Sequence, residues 1–193
     1  MGNGAFIELC RNIFVKIFLE DQTDCTHLFF VDADLKFEAR SFIGLLKAGL
    51  PICAGVYRRR QEPEDYPAKW TPHPDGGGLW VEDNWVMHDR VPTGFLCISR
   101  SVIEEMAADA PKVEIHGQKG LVPWVFATRL TKDDPPRFMG EDFAFCDDYR
   151  AKYNKPIPVW TDMDFVHAGY KCNYADYLSR QIKAWEEAKA SAA

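Results

Sequence analysis

The stretch Leu28-Phe29-Phe30-Val31 constrains the fold of this chain more than any other. It is short, aromatic and β-branched, which suits a strand covered on both faces. It then stops at Asp32-Ala33-Asp34. A turn at Ala33 brings both carboxylates onto one target. Two bare carboxylates about 4 Å apart repel by roughly 4 kcal/mol at an effective dielectric near 20. A hard divalent cation resolves that repulsion. The plainer reading is that Asp34 caps the following helix while Asp32 accepts hydrogen bonds from loop amides.

The elements around this strand alternate. Residues 4–20 place Phe6, Ile7, Cys10, Ile13, Phe14, Ile17 and Phe18 on one helical stripe. Residues 38–48 read as a second helix, ended by Gly49 and Pro51. Residues 51–57 form a second buried strand leading into Arg58-Arg59-Arg60. A loop rich in Pro, Gly and acids covers 61–78, with a small hairpin at 79–81 and 85–87. Then come a strand at 95–99, a helix at 101–108, a strand at 122–128, the mobile-looking Thr131–Met139 segment and a helix at 141–153. A last strand at 158–161 and an amphipathic helix at 175–190 close the chain. The alternation predicts one domain, three-layer α/β/α, with a mostly parallel central sheet. Ligands of such sheets sit at the carboxyl ends of the strands, where Asp32 and Asp34 lie.

Composition narrows the function. A net charge of −6 argues against a general nucleic-acid coat, which needs a basic footprint. Six cysteines without a CxxC pair suggest buried thiols in a reducing, cytoplasmic setting rather than a disulfide framework. No apolar stretch is long enough to span a bilayer, and Glu8, Arg11 and Lys16 interrupt the N-terminal apolar pattern, unlike a signal peptide.

Three later stretches add chemistry. Gly94, at a strand entrance, permits close approach of a ligand to the backbone, although an ordinary turn has the same glycine. Glu141-Asp142 follow Gly140 at a helix start, where acids also complement the helix dipole. His167 leaves an apolar segment among small residues, and a lone histidine is more often structural than a ligand.

In this order, THLFFVDAD, GVYRRR, PTGFLCISRSVIEEM, GEDFAFCDDYR and VHAGY resemble the glycosyltransferase-A fold. More closely, they resemble the small family-2-like glycosyltransferases of phage and bacterial genomes. The resemblance runs from about Asn3 to Tyr170, and Arg11-Asn12 fits it as a donor-side contact. It implies a sugar moved from a nucleotide donor, a UDP-sugar by default, to a glycan or other hydroxyl, a modified DNA base included. It implies Mn²⁺ or Mg²⁺ held by Asp32, Asp34 and His167, with Asp142 as base and Glu141 beside it. Gly94 lines the sugar and acceptor pocket, and Arg58 to Arg60 add to a diphosphate clamp. These enzymes open with a nucleotide-binding strand, whereas the sequence starts with a helix. The expectation is weak donor binding and a sheet edge that pairs with another segment or a second copy.

Two rivals stand beside this reading. A haloacid-dehalogenase-like phosphohydrolase also carries an aspartate pair after a buried strand, but Leu35 departs from its pattern and a helix precedes the strand. A non-catalytic nucleotide-sugar-binding descendant is the other.

Overall fold

A computed structural model describes residues 7–191. Phe6 of the N-terminal stripe, and Asn3 where the resemblance begins, lie outside the described residues. The chain runs α1 (Ile7–Glu20), β1 (His27–Val31), β2 (Leu35–Phe37), α2 (Ala39–Lys47), β3 (Ile52–Ala54), β4 (Lys69–Trp70), β5 (Val81–Glu82), β6 (Trp85–Arg90) and β7 (Phe95–Ser99). It continues with α3 (Arg100–Asp109), β8 (Lys112–Glu114), β9 (Leu121–Pro123), β10 (Arg129–Leu130), β11 (Phe138–Met139) and α4 (Glu141–Tyr153). The last elements are β12 (Ile157–Trp160), β13 (Asp164–His167), β14 (Tyr170–Asn173) and α5 (Tyr174–Ser191).

The main sheet corrects the expected topology. Its order is β1-β7-β3-β12-β6-β4, with β5 on β6, and only β3 and β12 are parallel neighbours. The fold is therefore mixed α/β with a mostly antiparallel sheet, not three layers around a parallel one. The cause is β7. It inserts antiparallel between β1 and β3, pairing Phe30 with Leu96 on one side and Ala54 with Leu96 on the other. Strands β1 and β3 still run in the same direction, but they never touch. A short buried strand looks the same in sequence whichever way its neighbour runs, so alternation of helix and apolar run does not settle sheet direction.

Strand β7 is the centre of the core. Phe95, Leu96 and Ile98 are fully buried, as are Ile157 and Val159 of β12 and Ala54 of β3. The Phe95 ring packs edge-on against both Phe29 and Phe165, each at 4.9 Å between centroids.

Of the apolar stripe of helix α1, only Phe18 is buried among the described residues. Arg11, Asn12, Val15, Lys16 and Phe18 face inward, while Ile7, Phe14 and Ile17 are exposed. Polar bonds turn the helix this way. Asn12 donates to the Phe126 carbonyl at 2.6 Å and accepts from the Phe126 N–H at 2.8 Å, and Glu8 accepts from Trp124 Nε1 and Thr128 Oγ1. The segment after β9, expected as a strand to residue 128, is thus held by side chains of α1 rather than by a ladder.

Two small sheets position the site. Strands β13 and β14, unexpected after the anticipated last strand, form a hairpin that adds to β2 and pairs His167 with Leu35. The Thr131–Met139 segment is framed by a second hairpin, β10 on β11, tied by Thr131 N–H to the Arg137 carbonyl. Among the described residues, no helix is long and apolar enough to cross a membrane.

Candidate functional site

Asp32 follows β1 directly and sits against the entrance of β7, its N–H donating to the Gly94 carbonyl at 2.9 Å. Its carboxylate accepts from Tyr57 Oη at 2.7 Å and lies 3.8 Å from Arg11 Nη2. Position 94 requires glycine for this reason: a Cβ there would overlap both the Asp32 carboxylate and the Tyr57 hydroxyl. Gly94 thus makes room for protein groups, where a ligand contact was anticipated. Burial foremost, and the Asp32 carboxylate next, push the Tyr57 phenol far above its usual range, so the hydroxyl stays a donor.

Asp34 lies two residues on and looks elsewhere. Its carboxylate meets Arg60 Nη2 at 2.5 Å and stands 3.6 Å from His167 Nε2. His167 Nδ1 is 2.7 Å from the Arg58 carbonyl, which makes it the donor there, and Nε2 then accepts from Arg60 Nε at 3.1 Å. The guanidinium of Arg60 therefore bridges two acceptors. An imidazole whose Nδ1–H is held by a carbonyl presents its Nε2 lone pair in the manner of a metal ligand.

The sequence expectation named Asp32, Asp34 and His167 as one metal set. Asp34 and His167 come together; the Asp32 carboxylate is engaged by Tyr57 and Arg11. No group of three or more His, Cys, Asp or Glu placed to hold a metal occurs among the described residues. Of the three expected ligands only Asp34 and His167 come together, and the Arg60 guanidinium stands against both.

The two acids of α4 separate as adjacent helical residues must. Glu141 is buried and forms an ion pair with Arg11, itself buried between Glu141 and Asp32. Asp142 instead lines a cleft of about 710 Å³, together with Arg59, Arg90, Lys132, Arg137 and Phe138. Its Oδ1 accepts the Phe143 N–H at 2.7 Å. Desolvation raises the Asp142 pKa, opposed by that N–H and by the Arg11 charge. A half-buried carboxylate of raised basicity at the edge of a cleft can take a proton from a bound hydroxyl.

The arginine run divides three ways. Arg58, expected to grip the donor, is buried; it donates to the Gln61 carbonyl and Glu62 and lies 4.8 Å over the Tyr170 ring. Arg59 lines the cleft and Arg60 bridges Asp34 and His167. Sequence reasoning passed over Tyr57, Arg90, Lys132 and Arg137. The Tyr-Arg-Arg-Arg order after a buried strand was the available signal, since successive side chains of an extended segment point to opposite sides.

No family model and no curated protein matches the chain. Among solved structures it is similar to A197 from STIV, at 16% identity over 84% of this chain and 67% of that one, with a TM-score of 0.49.

Proposed function

We propose that this chain moves a sugar from a nucleoside diphosphate donor to an acceptor hydroxyl, with Asp142 as the base. One observation carries the reading: Asp142 opens onto the cleft with its basicity raised by desolvation. The pairing of Asp34 with His167 supports it as a cation-binding pair once Arg60 is displaced. Asp142 takes the acceptor's hydroxyl proton as the acceptor oxygen attacks the sugar carbon and the bond from that carbon to the diphosphate oxygen breaks. Asp34 and His167 would hold Mn²⁺ or Mg²⁺, and the chemistry such an ion would supply there is neutralisation of the diphosphate charge. Arg11 holds Asp32 and Glu141 in place, and Tyr57 fixes the Asp32 carboxylate. A UDP-sugar is the default donor, and a glycan, another hydroxyl or a modified DNA base the acceptor. Six free thiols support a cytoplasmic setting.

Binding without turnover is a second reading, and Arg60 favours it by occupying the space between Asp34 and His167. Nucleotide sugars incubated with Mn²⁺ and scored for nucleoside diphosphate release decide between the two. Turnover that Asp142→Asn reduces by about 10² or more, with donor affinity kept, supports transfer. Calorimetric binding of UDP with no release from any donor supports the binding module instead.

A further inference from the structure

We propose that the acceptor is a phosphate ester, its phosphate held by Lys132, Arg137 and Arg59 while its hydroxyl meets Asp142. Calling the ligand an acceptor rests on the glycosyl-transfer reading; the anion site itself does not.

The lining of the cleft holds more cations than acids, unlike the chain as a whole. The protein carries a net charge of −6, yet Arg59, Arg90, Lys132 and Arg137 line this cavity against only Asp133 and Asp142. The cations come from three separate parts of the sequence: the loop after β3, the end of β6, and the hairpin of β10 and β11. Arg90 is neutralised by a two-pronged pair with Asp147, which fixes it as wall. Arg59 has the half-buried Asp65 at 2.8 Å, and Arg137 has Asp133 at 2.7 Å, both exposed. Among the described residues Lys132 has no carboxylate partner, so it is the uncompensated charge of the cleft. The lining holds neither Asn nor Gln, the amides that commonly read neutral sugar hydroxyls, and its strong donors are guanidinium and ammonium groups suited to phosphate. Phe138, 74% exposed, stands with Phe143 and Pro67 as an apolar surface for the ring of such a ligand. A volume of about 710 Å³ suits a nucleotide or a sugar phosphate.

Glucose 6-phosphate and thymidine 5′-monophosphate, each against its unphosphorylated counterpart, test this by calorimetry on the whole chain at low salt. The phosphorylated member of at least one pair is expected to bind about tenfold tighter or better, and the larger gain identifies the source of the phosphate. Lys132→Ala and Arg137→Ala, both at exposed positions, should each weaken that binding about tenfold while thermal unfolding stays unchanged. Asp142→Asn should leave it equal or tighter. Equal affinity within both pairs, or no binding up to millimolar concentration, overturns the proposal, as does binding indifferent to Lys132 and Arg137. A phosphate ester that binds through these residues but is never glycosylated keeps the anion site and overturns the transfer reading. Transfer to plain hydroxyls with no gain from phosphate overturns this proposal alone.

Discussion

At the scale of single residues, Glu141 and Asp142 are neighbours with opposite thermodynamic roles. Glu141 neutralises a buried arginine, so Glu141→Gln leaves Arg11 with Asp32 at 3.8 Å and the longer-range charge of Asp142. Breaking a buried pair costs about 3–5 kcal/mol, and the remaining Asp32 contact places this substitution at the low end. Asp142 has its pKa raised in the folded state, so stability falls as the pH rises from the ordinary carboxylate value to the raised one and the penalty is fully present above it. Asp142→Asn is therefore expected to leave stability at neutral pH unchanged or slightly higher. Chemical denaturation of both variants checks the split, and a greater loss from Asp142→Asn would reverse the assignment. Arg60 is the other residue whose role shows singly. Because it bridges Asp34 and His167, Arg60→Ala should tighten Mn²⁺ binding measured by electron paramagnetic resonance. Weaker Mn²⁺ binding in that variant would mean that Arg60 supports the cation site rather than competing for it.

Among the elements, the hairpin of β13 and β14 does most to bring His167 to Asp34. It is closed by Ala168 and Gly169, both at positive φ, and the Ala168 N–H donates to the Asp34 carbonyl at 3.2 Å. This one turn therefore ties the His167 segment to the Asp34 segment. Two-residue turns of this hand favour Asn-Gly, and an alanine in the left-handed region costs roughly 1–2 kcal/mol. Ala168→Asn should then stabilise the protein by about 1 kcal/mol, raising Tm by roughly 2–4 °C for a chain of this size. A fall in Tm would show that the turn does not limit stability. The hairpin was hard to read because Ala-Gly is a poor turn signal, and because β2 and β13 are too short to establish a period. The Glu38–Ala48 helix and the closing helix were legible, since each has an apolar stripe at helical spacing, and the first also has Gly49 and Pro51 to end it.

For the whole molecule, acid sensitivity is built into the packing between β6 and α5. His88 is fully buried; its Nδ1 lies 2.9 Å from the Val86 carbonyl and its Nε2 2.8 Å from Tyr174 Oη, which accepts from Trp70 Nε1. Desolvation pushes the His88 pKa down to about 4 from 6.5. Below pH 6.5 the unfolded chain takes up a proton that the folded chain refuses, so stability falls as the pH drops and this contribution levels off below about 4. The loss is on the order of 3 kcal/mol across the window. His88→Gln, which cannot titrate, should flatten the dependence of unfolding free energy on pH between 4 and 6.5, measured against the parent protein. An unchanged slope would place the acid sensitivity in other groups.

Much of what is local was settled by the sequence itself. Residues 28–31 had to be a strand ending at two acids, although it lies at the sheet edge with Phe30 buried and Val31 exposed rather than covered on both faces. Residues 141–153 had to be a helix with acids at its start, and adjacent helical acids had to diverge by about 100°. Which acid met solvent and which met Arg11 depended on where α4 docked. The outward turn of Ile7, Phe14 and Ile17 depended on Asn12 finding the backbone of Phe126. The antiparallel insertion of β7, the separation of the Asp32 carboxylate from Asp34 and His167, and the gathering of cations from three segments around one cleft were likewise tertiary decisions. Periodicity and turn chemistry are set by neighbours along the chain. Strand direction and the company of each charge are set by contacts between residues far apart in it, and only the packed structure contains those.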